Sequence, residues 1–177
     1  GSADSELAKA GKGLLPVIQL PDGRYWADST PIILELEKFH PGQRSTLPDD
    51  PADRFLALLM EDMADERLVF PMFDYRWAAP LDQEFCARRQ MAGWHGAMAA
   101  KPFDDIVEAF RKRQTGMLAR AGDLAANRPI WVEAYHRYLS AMELQLQHSR
   151  FLFGERPSIG DFGIFGQLSQ LAIDPTP

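Results

Sequence analysis

Apolar positions change their spacing along this chain, and the change divides it. Between Leu14 and Leu36, an apolar run of Leu14, Leu15, Val17, Ile18 and Leu20 is broken by Pro16. Pro21-Asp22-Gly23 and a short return from Arg24 to Ala27 follow. Strand-like composition on both sides of an Asp-Gly turn, with glycine where a positive φ is needed, predicts a hairpin. Asp28 or Ser29 can then cap a helix with Pro31 close to its first turn. Ile32, Ile33, Leu36 and Phe39 have the spacing of that helix's buried face. Residues 40–50 are rich in Pro, Gly and polar side chains and read as a linker. Beyond them strand signals vanish. Asp50-Pro51 with Asp53 predicts a helix start; Phe55, Leu58, Leu59 and Met63 run down one side of that helix, and Pro71 interrupts it. Further helices are expected at about 82–99, 103–121 and 129–149, the last with Trp131, Tyr135, Tyr138, Met142 and Leu146 as a stripe. Near the end, Ser158-Ile159-Gly160-Asp161 opens an apolar helix as a capping box with Asp in place of Glu.

Those elements predict a mainly α chain, α+β overall. A hairpin/helix unit spans 1–40, a linker 41–50, and an all-helical domain 51–177. Pro16 is the odd residue. A proline in a strand removes a ladder donor, so it belongs at an edge, at a bulge or in a cis turn. A chain of 177 residues can bury a real core, and its 46% hydrophobic content is ordinary for a globular protein. The net charge of −6 argues against nucleic acid or an anionic membrane surface as partner. No apolar run has the length of a membrane span, and no secretory signal pattern is present at the N-terminus, so a cytoplasmic location is expected.

Candidate chemistry is sparse. Cys86 is the single cysteine; between Phe85 and Ala87 it reads as a buried structural thiol rather than a nucleophile. Glu61, Asp62, Asp65 and Glu66 share a helix at i, i+3 and i+4 spacing. The four histidines show no paired spacing with them, so no metal site is predicted. In Phe73-Asp74-Tyr75-Arg76-Trp77, aromatics alternate with charges. Tyr75 can act as a hydroxyl donor and Arg76 as an anion clamp between walls of Phe73 and Trp77. The same residues can equally pack a core, with Arg76 paired to an acid. Gly11-Lys12-Gly13 misses the spacing of a phosphate loop and reads as a turn.

The order of these features resembles the glutathione transferase superfamily. A proline in a β-run, a hairpin through Asp22-Gly23, and Asp28-Ser29 opening a helix are similar to the second half of its thioredoxin-like domain. The string from Phe151 to Leu168, with Ser158 and Asp161, is similar to the capped core helix of its all-helical domain. EDMADE at 61–66 and FDYRW at 73–77 look like a group of bacterial transferase-like proteins within it. The resemblance implies a cis Leu15-Pro16 bond and glutathione as co-substrate. Leu15 and Pro16 would hold its cysteinyl part, and Asp28 and Ser29 its γ-glutamyl end. It further implies a structural role for Ser158 and Asp161, a small hydrophobic electrophile near Phe73, Tyr75, Arg76 and Trp77, and a homodimer using the helix at 52–70. The family's first strand-helix-strand, which carries its activating Tyr, Ser or Cys, has no equivalent in this sequence, nor does the family's C-terminal end. Catalysis by this chain alone is therefore not expected. The alternative is a non-catalytic binding or assembly module of the same fold.

Overall fold

The computed structural model describes residues 9–11, 15–42, 44–95 and 102–176. Lys12, Gly13, Leu14 and the end of the helix expected at 82–99 lie outside them. The chain divides into two compact units, residues 1–46 and 47–177.

In the first unit, β1 (Val17–Gln19) pairs antiparallel with β2 (Tyr25–Ala27), in the register Val17↔Ala27, Ile18↔Trp26 and Gln19↔Tyr25. The turn is closed by Leu20 N–H to Arg24 O at 2.8 Å and Gly23 N–H to Leu20 O at 2.9 Å. Gly23 has φ 87°, the left-handed conformation that favours glycine there. Asp22 accepts from the Arg24 backbone N–H and guanidinium, which hold its carboxyl below the usual range. Helix α1 (Ser29–Phe39) follows directly. Of its predicted face only Ile32 is buried; Ile33 is half-buried, and Leu36 and Phe39 are exposed. Phe39 instead packs at a tilt on Trp26 of β2, with ring centroids 5.5 Å apart.

The regular structure of the second unit is helical among its described residues, apart from an isolated bridge between Phe151 and Gly154. Helix α2 (Pro51–Met63) starts where Asp50 accepts from the Ala52 and Asp53 N–H groups. A π-helical stretch (Ala64–Leu68) then leads into α3 (Val69–Trp77). Pro71 therefore does not end the helix. A π-helical stretch already departs from the regular i→i−4 ladder, and here it lies just before the proline with its missing donor. Helices α4 (Pro80–His95), α5 (Phe103–Leu118), α6 (Leu124–His148) and α7 (Ile159–Leu171) complete the unit. α6 begins earlier than its apolar stripe suggests, because Asp123 caps it through the Ala125 and Ala126 N–H groups and Pro129 is carried inside.

The face buried by α2 is not the one its large apolar residues mark. Phe55 is 64% exposed and Leu59 49%, while Ala57, Glu61 and Ala64 are buried. The reason is the close approach of α7. A Cβ at Gly160 would lie 2.9 Å from the Ala57 carbonyl oxygen, and one at Gly163 would lie 3.3 Å from Glu61 Cα. Small residues on both helices let the backbones meet, and the bulky side of α2 is left outward. Gly160→Ala should consequently cost about 1–3 kcal/mol by overpacking, with Gly166→Ala, which meets open space, as the neutral control. Urea melts of both variants check this.

At the start of α7 the capping box is present. Asp161 Oδ2 accepts from Ser158 N–H and Oγ, both at 2.7 Å, and Oδ1 accepts from Leu152 N–H at 3.0 Å. One core cluster joins Ala64, Leu68 and Ile164; another gathers Trp77, Cys86, Met91, Val107 and Leu118.

Candidate functional site

In the first unit the hairpin brings the two halves of the predicted site together. Leu15-Pro16 is a cis peptide bond immediately before β1, and Leu15 is 70% exposed. Since β1 and β2 pair with Val17 opposite Ala27, the residues just outside the pair, Pro16 and Asp28, become neighbours. Asp28 N–H donates to Pro16 O at 3.0 Å. Ser29 opens α1 one residue later.

Asp28 stands at the N-cap position, yet its side chain makes no capping hydrogen bond. Its backbone has φ 81° and ψ 130°, a left-handed conformation found at no other non-glycine among the described residues. An L-residue held there costs about 1–3 kcal/mol, and such strain gathers at ligand clamps. The side chains of Asp28 and Ser29 make no hydrogen bond or ion pair among the described residues. A half-buried carboxylate and a half-buried hydroxyl are thus left unused at a helix N-terminus, where unsatisfied N–H groups favour anionic ligand groups. The carboxylate can accept from an ammonium, and the hydroxyl can donate to a carboxylate.

In the second unit the residues of FDYRW part company. Phe73 lines an apolar cavity of about 380 Å³ together with Val69, Phe70, Met117 and Trp131. Tyr75 packs on Tyr135 with centroids 5.5 Å apart. Burial, and then the neighbouring Tyr75, push the Tyr135 phenol upward. Arg76 and Trp77 turn into the core. Trp77 is 1% exposed and meets Phe110 edge-on at 5.7 Å, so its ring serves packing rather than a pocket wall. The Arg76 guanidinium is taken up by Asp174, with Nε 2.9 Å from Oδ2, and by Gln170 at 3.3 Å. The Arg76–Asp174 contact is a close ion pair without hydrogen-bond alignment. Asp74, between Phe73 and Tyr75, is buried and bidentate with Arg128. Sequence reasoning had no means to find these partners, which lie on elements far along the chain. No grouping of His, Cys, Asp and Glu suited to a metal occurs among the described residues. None of their helices is long and apolar enough to cross a membrane.

The family model for the glutathione S-transferase C-terminal domain matches residues 87–176, about half of the chain. The chain belongs to the glutathione S-transferase family. Among solved structures it is similar to a crystal structure of glutathione S-transferase from Pseudomonas fluorescens Pf-5, with 20% identity and a TM-score of 0.46. That likeness covers 96% of this chain and 65% of the other, so this chain spans less than two thirds of that protein's length. No curated protein matches. The matched span runs from within α4 to just past α7, and Cys86, the residue immediately before it, is in the core rather than at a surface. Burial pushes the Cys86 thiol up to about 11, against a smaller opposing pull from Arg76. A thiol raised that far is almost wholly protonated at neutral pH. The native protein should therefore react with a disulfide reagent at pH 7.5 at least about a hundredfold more slowly than the urea-unfolded chain, because the fully buried thiol is also shielded. Equal rates would place the thiol at the surface.

Proposed function

We propose that this chain supplies the γ-glutamyl and backbone-pairing part of a glutathione site, and that the whole protein conjugates glutathione to a small hydrophobic electrophile. Leu15 offers backbone to the cysteinyl part beside Pro16, Asp28 accepts from the glutathione ammonium, and Ser29 donates to its α-carboxylate. The observation that carries the reading is Asp28. Its backbone is left-handed at a cost, and its carboxylate is withheld from the cap it is placed to make. A residue kept only to cap α1 would do so without strain. Activation of the thiol in such a protein means lowering its pKa by a hydrogen bond. Phe73 and Tyr75 are the acceptor-side residues retained in this proposal, and Arg76 and Trp77 support them from the core. The proposal includes a cytoplasmic homodimer in which α2 presents Phe55, Leu56 and Leu59.

Calorimetry with reduced glutathione tests the site. Ser29→Ala and Asp28→Ala should each weaken binding about tenfold or more, the worth of a charge-assisted hydrogen bond. Asp28→Gly separates ligand binding from capping. It relieves the left-handed strain and should raise stability by about 1 kcal/mol, less the entropy that glycine costs, while binding falls as in Asp28→Ala. A variant that loses stability and keeps its glutathione affinity would make Asp28 a structural residue. No measurable glutathione binding by the full-length protein would favour the non-catalytic module.

A further inference from the structure

One side of α4 and a residue of α7 enclose a cavity of about 430 Å³ within the helical unit, a volume in the range of small-molecule sites. Arg89, Gln90, Gly93 and Trp94 are spaced at i, i+1, i+4 and i+5, which gathers all four on that side of α4, and Gln170 of α7 completes the lining. Trp94 is its platform. Phe110 meets the indole edge-on with centroids 5.5 Å apart and so covers one face at most, and Trp94 is 60% exposed. A flat partner can therefore stack on the other face. A Cβ at Gly93 would meet nothing within 4 Å, so the space beside the ring is open.

The polar groups around this platform are mainly donors. Arg76 Nη1 donates to Gln170 Oε1 at 3.3 Å. A guanidinium can only donate, so the amide oxygen is turned to Arg76, and the amide NH2 makes no hydrogen bond among the described residues. Arg89 stands 3.7 Å from Asp174, beyond hydrogen-bond reach, and its N–H groups are unused among the same residues. Gln90 is half-buried and also makes no hydrogen bond there; its amide can give or take. No Asp or Glu is among the described residues that line the cavity. A donor-rich edge beside an open aromatic face matches a flat ring with acceptors along one side. Guanidinium pairs bidentately with the O6 and N7 acceptors of an oxopurine, and an indole takes the face of the base. An adenine ring carries an amine in place of O6 and would set donor against donor.

We infer that this cavity binds an oxopurine base or nucleoside, stacked on Trp94, with its O6 and N7 edge on Arg89 and the Gln170 amide and its ring N–H on Gln90. A single neutral base, rather than a nucleic-acid strand, suits a chain of net charge −6. Inosine, 7-deazainosine and adenosine, all uncharged and with the same ribose, are the probes. Calorimetric titration of the chain should show inosine binding at least about tenfold tighter than either analogue, because one lacks the N7 acceptor and the other the O6 acceptor. Trp94→Ala should weaken inosine about tenfold or more. Gly93→Leu sends a side chain into open space at a helical position, so it should keep or raise the melt while abolishing inosine binding. Arg89→Gln supplies the amide that pairs with N6 and N7 of adenine and should turn the preference toward adenosine. No inosine binding at millimolar concentration, equal affinity for inosine and either analogue, or inosine binding indifferent to Gly93→Leu or Trp94→Ala would overturn the proposal. None of these variants touches Leu15, Asp28 or Ser29, so the outcome is independent of the glutathione reading.

Discussion

Replacing Arg76 by methionine is expected to destabilise the helical unit by about 3–5 kcal/mol, the range for removing one partner of a buried ion pair. Asp174 has a fully buried carboxylate whose near partner is Arg76 Nε at 2.9 Å; Arg89 stands farther off at 3.7 Å and is itself 42% exposed. Removing the guanidinium strands the carboxylate in a place where neither water nor another close cation reaches it. Trp77, over which Arg76 also lies at 5.9 Å, loses that contact as well. Stability of a single domain is about 5–15 kcal/mol in total, so the variant should melt far below the parent. The double variant Arg76→Met, Asp174→Leu removes both charges and should recover most of the loss, because a buried pair exchanged for apolar side chains is often neutral or stabilising. Thermal melts of the single and double variants decide the point. A single variant within about 1 kcal/mol of the parent would mean that Asp174 escapes to solvent without its partner.

Asp161→Ala is the second change expected to have a large effect, about 2–4 kcal/mol. This exceeds the ~1 kcal/mol typical of a cap because the acceptor serves more than the cap. Its carboxylate takes the N–H and hydroxyl of Ser158, a residue 3% exposed, and also ties Leu152 N–H from the preceding loop. Losing it leaves donors in a buried setting without an acceptor, each costing about 1–3 kcal/mol, with the sum reduced by relaxation. Ser158→Ala keeps the backbone bond and should cost less than half as much. Urea denaturation of the two variants, with unchanged slope against denaturant, is the measurement. Equal losses would show that the hydroxyl and not the carboxylate organises the helix start.

Parts of this protein were legible residue by residue. The Pro21-Asp22-Gly23 turn, the cap at Asp50, the box at Ser158 and Asp161, and the hairpin itself all rest on groups a few residues apart or on one short register. Asp28 and Ser29 were named from their place at a helix start, and the sequence left open whether Asp28 caps the helix. Only the structure shows that its side chain makes no capping hydrogen bond. The pocket candidates fared differently. Phe73, Tyr75, Arg76 and Trp77 sit on fewer than two turns of helix and so point in different directions. The direction of each was set by α5, α6 and the segment after α7. The cavity walled by Phe70 and Trp131 gave no local signal, since an apolar stripe on a helix looks alike whether it meets another helix or a cavity.

By itself, the sequence determined where elements begin, turn and end, because caps and turns are decided by hydrogen bonds between near neighbours. It also determined the family order of hairpin, helix and capped helical domain. Tertiary structure alone decided which face of α2 is buried. Phe55 and Leu59 carry the stronger apolar signal, but Gly160 and Gly163 of α7 allow backbone approach only on the side of Ala57 and Glu61. It alone decided, too, that Arg76 faces Asp174 rather than a ligand. Contacts between helices depend on shape complementarity across the whole unit, which spacing along one strand of sequence does not contain.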